Sequence, residues 1–141
     1  MELESQWSLA TAEDEGKPLI FRIRNQAPPF ASQADFPHLL AICWQYQSPN
    51  DQGMPSPDDA QRMAELEDLL ESGLESVRQA FLTVIVTGNG VREWQWYARD
   101  PEKTMEIVNE TLGHLEPFPV QFAFQADPDW EGYQRFLEIS G

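Results

Sequence analysis

Three prolines, each preceded by a residue type that caps helices, constrain the fold of this chain more than any other feature of its sequence. The pairs are Ser56-Pro57, Asp100-Pro101 and Asp127-Pro128. The capping oxygen can accept backbone N–H groups that lack a partner at a helix start, and proline suits the first helical position because it has no N–H to lose. We therefore predict three helices, over residues 57–77, 101–115 and 128–137.

Apolar residues recur at spacings of three and four in the first two predicted helices, which indicates one buried stripe on each helix. The first stripe contains Met63, Leu66, Leu70, Leu74 and Val77. The second stripe contains Met105, Val108, Leu112 and Leu115. Acidic residues of the first helix fall largely away from its stripe, so we expect an acidic outer surface there.

Short apolar and alternating runs predict six strands, over residues 7–12, 19–25, 38–47, 81–87, 91–98 and 120–126. From the third strand onward the order is β-α-β-β-α-β, which is the ferredoxin-like pattern of four antiparallel strands with both helices on one face. We expect a single α+β domain over residues 1–141. An N-terminal hairpin around Glu15-Gly16-Lys17 would extend or cover the sheet, and the short C-terminal helix would close an edge.

A hairpin with Gly88-Asn89-Gly90 at its tip joins the fourth and fifth predicted strands, and its turn determines which side chains share a face. A two-residue Asn89-Gly90 turn would pair Ile85 and Thr83 with Trp94 and Trp96. A three-residue loop with a glycine bulge would instead pair Leu82, Val84 and Val86 with Trp96, Trp94 and Arg92. We choose the second register because it collects the large apolar residues on one buried face.

The opposite face of the sheet is then small and polar, and it is our candidate interaction face. Its polar members are Gln45, Thr83, Thr87, Glu93, Gln95, Tyr97, Gln121 and Gln125. Ala41 and Ala123 lie between them, and Tyr97 is a possible anchor. Three readings of this face stay open, namely a partner surface, a surface for self-association as a homodimer, and a surface of a monomer that faces solvent.

The charge balance narrows the range of partners. The chain has nine Lys and Arg against 24 Asp and Glu, a net charge of −15. Nucleic acids and anionic membranes bind basic patches, so we expect neither as a direct partner. A basic protein partner is compatible with this charge, although acidity also serves solubility.

Residues with catalytic or metal-binding spacing are absent from the sequence. The only histidines, His38 and His114, are far apart, and there is no nucleophile elbow, phosphate loop or dinucleotide fingerprint. Cys43 lies in an apolar run and is expected to be a buried structural thiol. We therefore expect no catalytic residue, no metal and no cofactor. The N-terminus has no signal-peptide pattern, which suggests a cytoplasmic protein.

Two segments resemble a known family. They are Asn89-Gly90-Val91-Arg92-Glu93 with the following Tyr97, and Asp127-Pro128-x-Trp130-x-x-Tyr133. With Trp7, Gly16-Lys17-Pro18 and Glu65-x-Glu67, they are similar to the signature segments of the bacterial family called domain of unknown function 695. The resemblance covers nearly the whole chain. It implies a fold but no mechanism, because the family has no established activity.

The Asp-Pro-x-Trp-x-x-Tyr ending also resembles the regulator of ribonuclease E activity B family, whose members are acidic cytoplasmic inhibitors that act by binding an enzyme. Our leading hypothesis is therefore a non-enzymatic regulatory module that binds a basic protein partner. The alternative is an enzyme or a small-ligand-binding protein that uses the open sheet face around Glu93, Gln95 and Tyr97. That alternative requires a concave pocket at this face.

Overall fold

The computed structural model describes residues 6–49 and 51–140, and residues 1–5, where a signal peptide is not expected, lie outside that description. The described chain forms six strands: β1 (Trp7–Asp14), β2 (Lys17–Arg24), β3 (His38–Gln45), β4 (Ala80–Gly88), β5 (Val91–Ala98) and β6 (Val120–Ala126). The helices are α1 (Pro57–Leu70), α2 (Pro101–Leu112) and α3 (Glu131–Ser140). A π-helical turn, Glu71–Glu75, continues α1.

All six strands form one antiparallel sheet in the order β1-β2-β4-β5-β3-β6. The predicted α+β class is confirmed. The N-terminal hairpin extends the sheet beyond β4, so the six-strand order differs from that of a four-stranded ferredoxin-like sheet. No helix in the described part of the chain is long and apolar enough to cross a membrane.

The caps of the first two helices form as predicted. Ser56 Oγ accepts a hydrogen bond from the backbone N–H of Asp59 at 3.1 Å, and Asp100 Oδ2 accepts one from Lys103 at 2.8 Å. Both helices end earlier than predicted, and two predicted stripe residues are exposed: Val77 by 59% and Leu115 by 44%. After α1, Arg78 takes a left-handed conformation (φ 57°), which turns the chain into β4.

The start of the third helix was predicted wrongly. Asp127 does cap it, since its carboxylate accepts the backbone N–H groups of Glu131 and Gly132 at 2.9 and 3.0 Å. The helix begins at Glu131 rather than at Pro128, however, because Trp130 adopts a left-handed conformation with φ 55°. That turn allows the indole Nε1 of Trp130 to donate to the carbonyl oxygen of Phe36 at 2.8 Å.

Helix α3 also lies on a face of the sheet, not at an edge as predicted. It packs against β1, β2 and β4, and its apolar residues belong to a core cluster on the side of the sheet opposite the cluster of α1 and α2. We name the two sides the α1 face and the α3 face. Aromatic pairs join the helix to the sheet, with ring centroids 5.7 Å apart for Phe21 and Phe136 and 6.3 Å apart for Tyr97 and Tyr133. Both faces of the sheet therefore carry a packed core.

The register of β4 and β5 combines the two alternatives that the sequence offered. The turn has two residues, because Gly88 pairs with Val91, and Ile85 consequently pairs with Trp94. The three-residue loop was therefore the wrong choice. A bulge between Leu82 and Val84 then shifts the pairing, so that Leu82 lies opposite Trp96. This bulge keeps the large apolar side chains together on the α1 face despite the short turn.

We expect Trp130→Ala to lower the free energy of unfolding by roughly 3–5 kcal/mol, because the ring is only 8% exposed and packs against Phe81 and Tyr97. Urea denaturation would measure the change. The control is Ile139→Ala on α3, where the side chain is 60% exposed and truncation should cost less than about 0.5 kcal/mol. Equal losses in the two variants would show that Trp130 is not a core residue.

The loop before α1 is tied to the tip of the β4–β5 hairpin by its backbone. The carbonyl oxygen of Gly53 accepts hydrogen bonds from Gly90 N at 3.0 Å and from the Tyr46 hydroxyl at 2.6 Å. A Cβ on Gly53 would lie 2.8 Å from Asn89 N. This close approach requires glycine independently of the backbone angle, because the obstructing atoms belong to the main chain.

Gly53→Ala and Gly16→Ala separate these two effects. Both glycines have φ near +80°, but a Cβ on Gly16 would meet nothing within 4 Å. Gly16→Ala should therefore cost about 1 kcal/mol from backbone strain alone. Gly53→Ala should cost about 1–3 kcal/mol more because of the clash. Chemical denaturation of both variants checks the difference, and equal costs would contradict the proposed contact.

Candidate functional site

Part of the predicted interaction face is present as one continuous surface. Helix α3 packs against β1, β2 and β4, which leaves the α3 face of β5, β3 and β6 partly open. The structure brings five predicted residues together on this open half: Gln45, Glu93, Gln95, Gln121 and Gln125. The three of them on β3 and β6 are exposed, while Glu93 and Gln95 are half-buried.

Thr83, Thr87 and Tyr97 do not belong to that open surface. Thr83 occupies the bulge, is fully buried and donates to the carbonyl oxygen of Gln95 at 2.8 Å. The two-residue turn places Thr87 on the α1 face, where it accepts a hydrogen bond from Arg92 Nε at 2.9 Å. Tyr97 remains on the α3 face but is fully buried beneath α3.

The buried hydroxyl of Tyr97 has a structural role. It donates to Asp127 Oδ2 at 2.6 Å and accepts the backbone N–H of Tyr133 at 3.2 Å. Burial by itself would raise the pKa of Asp127, but the hydrogen bonds from Tyr97, Gly132 and Glu131 outweigh it and lower that pKa. The ionised carboxylate is thus the form that holds the sheet and α3 together.

A groove of about 490 Å³ lies between the open half of the sheet and α3, and we name it the α3 groove. Glu93 and Gln95 line it from the sheet, and Arg135 and Ile139 line it from the helix. Glu93 accepts hydrogen bonds from Gln95 Nε2 at 2.7 Å and from Cys43 Sγ at 3.4 Å. The concavity that the small-ligand alternative requires is therefore present.

Cys43 is half-buried in that region rather than fully buried as predicted. Burial, followed by the adjacent Glu93 carboxylate, raises the pKa of the thiol to about 11. The sulfur is consequently protonated at neutral pH and is a poor nucleophile. In residues 6–49 and 51–140, no group of three or more His, Cys, Asp or Glu side chains could hold a metal ion.

A second groove of about 490 Å³ lies between α1 and the turn that precedes β6, and we name it the α1 groove. Its acidic members are Glu65, Asp68 and Glu116, and its apolar members are Leu69, Leu115 and Phe118. This groove was not predicted, because Leu115 was assigned to the buried stripe of α2. In the structure α2 ends at Leu112, so Leu115 is free to line a groove.

The carboxylates of the α1 groove lack ion-pair partners. Within the described part of the chain, no Lys, Arg or His nitrogen lies within 4 Å of Glu65, Asp68 or Glu116. Arg62 also lines the groove, but its guanidinium is held over the rings of Phe118 and Trp44, at 4.7 and 5.8 Å from their centroids. The groove therefore combines an acidic rim with exposed apolar surface.

Like charges are also crowded on the α1 side that faces the sheet. Burial first, and then the carboxylates of Glu67, Glu75 and Asp68, raise the pKa of Glu71 to about 7, although Arg24 opposes the shift. Raising a carboxyl pKa in the folded state means that ionisation destabilises the fold. The π-helical turn after α1 therefore carries a charge that its surroundings disfavour at neutral pH.

We expect Glu71→Gln to stabilise the protein above pH 7 and to flatten its pH dependence. In the parent chain, the contribution of Glu71 to stability is fully present below the ordinary pKa of 4.5 and is lost as pH rises through about 7. Glutamine cannot ionise, so the variant should keep the stability that the parent loses. Melting temperatures between pH 5 and pH 8 test this, with exposed Glu110→Gln as the control. Parallel curves for parent and Glu71→Gln would contradict it.

The segments that carry the family resemblance have clear structural explanations. Asn89 and Gly90 form the β4–β5 turn with φ values of 51° and 83°. Tyr97, Trp130 and Tyr133 belong to one buried cluster on the α3 face. These residues therefore serve the fold, whereas Glu65 and Glu93 of the same family segments line the α1 groove and the α3 groove.

Comparison with curated proteins finds no match for this chain. The protein-family model described as "Family of unknown function (DUF695)" matches residues 5–138, which is nearly all of the 141 residues. The match contains every segment on which the resemblance was based. The chain therefore belongs to the family of unknown function DUF695.

Proposed function

We propose that this chain is a non-enzymatic interaction module that binds a basic segment of a partner protein in the α1 groove. The observation that carries the proposal is the combination of three unpaired carboxylates, Glu65, Asp68 and Glu116, with exposed Leu115. An acidic rim around apolar surface complements a segment that presents both basic and apolar side chains. Interfaces of this kind have an apolar centre and a charged periphery.

The overall charge favours the same type of partner. A net charge of −15 would steer a basic protein toward the chain and raise the association rate at low salt. The Arg62 guanidinium stacks over Phe118 and therefore remains beside the carboxylates without pairing with them. A bound lysine or arginine would give these carboxylates an ion-pair partner, which no residue in the described part of the chain provides.

The C-terminal ending is similar to that of the regulator of ribonuclease E activity B family, which supports the proposal that this chain is an inhibitor that acts by binding, in the cytoplasm of a bacterium. The similarity suggests only this class of function and no individual binding residues. Trp130 and Tyr133 of the shared ending are buried, so a partner would contact other residues. The α1 groove is the acidic surface that could serve this purpose.

The finer fold assignment is also a proposal. We infer that the segment from β3 to β6 is a ferredoxin-like unit to which the N-terminal hairpin and α3 are added. The neighbour order β4-β5-β3-β6 within the sheet, with α1 and α2 on one face, supports this inference. On this reading, the helix-free face of such a unit is the face that α3 partly covers.

A second candidate function is small-ligand binding or catalysis in the α3 groove. The supporting observation is its concavity of about 490 Å³ beside Glu93, Gln95 and Gln125. Hydrogen bonds from Cys43 and Gln95 already hold the Glu93 carboxylate. The groove therefore suits recognition of amide or hydroxyl groups better than proton transfer. Self-association through the open half of the sheet would instead occupy this groove and make a homodimer.

Affinity capture from a bacterial lysate at low and moderate salt tests the leading proposal when it is run with two matched variants. The first variant combines Glu65→Gln, Asp68→Asn and Glu116→Gln in the groove. The second combines Glu102→Gln, Glu110→Gln and Glu138→Gln at exposed positions outside the groove. It removes three negative charges, as the first variant does, so the two variants have the same net charge. We expect a basic partner to be lost from the first variant and retained by the second, with weaker capture at higher salt.

Two outcomes would contradict the α1 groove. Equal loss from both variants would mean that net charge alone is responsible, and capture indifferent to salt would contradict electrostatic recognition. Capture of nothing at either salt would favour the small-ligand alternative in the α3 groove. Mass spectrometry of the captured proteins and a solution mass measurement of the bait distinguish these cases from self-association.

A further inference from the structure

A smaller cavity of about 130 Å³ lies on the α1 face, where β2, β4 and β5 pass beneath the loop that leads into α1. Its apolar walls are Ile20, Met54, Pro55 and Ile85. Its polar walls are Arg22, Thr87 and Arg92. The strand register places Ile20, Thr87 and Arg92 side by side across three strands, so the polar groups converge from neighbouring positions.

Arg92 lacks a counter-charge at this cavity. Its Nε donates to Thr87 Oγ1 at 2.9 Å, and its guanidinium lies 5.9 Å from the centroid of the Trp94 ring. In the described part of the chain no carboxylate lies within 4 Å of it. An arginine carries five N–H donors, so most of its donors have no protein acceptor here. The Thr87 hydroxyl, which accepts from Arg92, can donate its own proton to a ligand.

The nearest carboxylate is already engaged elsewhere. Glu67 accepts Arg22 Nη1 on one oxygen at 3.3 Å and Trp94 Nε1 on the other at 3.0 Å. Both oxygens of Glu67 are therefore engaged by donors other than Arg92. Arg22 and Arg92 thus both line the cavity, and among the described residues Glu67 forms an ion pair with Arg22 alone. Burial lowers the pKa of Arg92 and Arg22 adds to that effect, while the Glu67 carboxylate and Tyr46 oppose it.

The walls and the volume define the chemistry of a suitable ligand. Guanidinium groups bind carboxylates and phosphates through paired hydrogen bonds. Ile20, Met54 and Ile85 add apolar surface that an inorganic anion would leave unused. A cavity of about 150 Å³ holds a benzene molecule of six carbon atoms, so this slightly smaller one suits a ligand of about six non-hydrogen atoms.

We propose that this cavity binds a small carboxylic acid with a short aliphatic chain, with its carboxylate on Arg92, Thr87 and Arg22. The aliphatic chain would lie against Ile20, Met54 and Ile85. The bound carboxylate would supply a negative charge beside Arg92, where the chain places none of its many acidic side chains within 4 Å among the described residues. This site is separate from the α1 groove and does not depend on the proposed protein partner.

Titration of the ¹⁵N-labelled full chain with sodium butyrate at constant ionic strength tests the site by NMR. We expect saturable shifts at the backbone amides of Thr87, Arg92 and Met54, with a dissociation constant of about 1–10 mM, as is typical of so small a ligand. Butan-1-ol has a similar chain without the charge and should cause no saturable shift. Phosphate should bind at least about tenfold more weakly than butyrate.

Three substitutions make the test specific. Arg92→Gln should weaken butyrate binding by at least about tenfold, whereas Arg62→Gln, which removes the same charge at the α1 groove, should leave it unchanged. Ile20→Glu, at a position that is 38% exposed, should abolish binding by placing a carboxylate of the chain itself at the cavity. The two-dimensional spectrum of each variant verifies its folding.

Three results would overturn the proposal. They are the absence of saturable shifts in the parent chain, equal weakening by Arg92→Gln and Arg62→Gln, and phosphate binding as tight as butyrate binding. The last result would indicate a plain anion site without a role for the apolar walls. Unchanged butyrate binding in Ile20→Glu, with a native-like spectrum, would equally reject the cavity.

Discussion

The buried hydrogen bond between the Tyr97 hydroxyl and the Asp127 carboxylate determines how the two faces of this sheet are used. Asp127 also caps α3 through two backbone N–H groups, so one carboxylate joins the sheet to the start of the helix. Trp130 extends the same connection to the carbonyl oxygen of Phe36. Because α3 is held at this point, it covers β1, β2 and β4 and leaves the α3 groove beside β3, β5 and β6.

Charge is distributed unevenly over the α1 face and the helix that covers it. Arg22 and Arg24 pair with Glu67 and Glu75, so acidic side chains of α1 and of its π-helical turn hold the N-terminal hairpin to the rest of the fold. Each of the two carboxylates also accepts a hydrogen bond from the sheet. Glu67 accepts one from the Trp94 indole, and Glu75 accepts one from the backbone N–H of Leu82. These contacts use part of the acidity of α1 within the molecule. Glu65 and Asp68, in the α1 groove, make no such ion pair within the described part of the chain.

The candidate interaction face shows how far sequence patterns could locate a surface. Gln45, Gln121 and Gln125 were placed correctly, because β3 and β6 alternate regularly between apolar and polar residues. Thr87 was assigned to the wrong face, because a bulge at Thr83 is invisible to a pattern of period two. Tyr97 was assigned to the right face, but its burial depends on a helix that sequence reasoning had placed at an edge.

The sequence by itself determined the α+β class, the six strands, the caps of α1 and α2 and the family, because these depend on local patterns: capping oxygens before prolines, alternating strands and short family segments. Tertiary structure decided where α3 lies and which half of the α3 face stays open. It also decided that Leu115 is exposed and that Arg92 has no carboxylate within 4 Å in the described part of the chain. These features depend on contacts between residues far apart in the chain, such as Trp130 with Phe36 and Glu67 with Trp94. No local pattern encodes such contacts, because the same side chain is buried or exposed according to what the rest of the chain places over it.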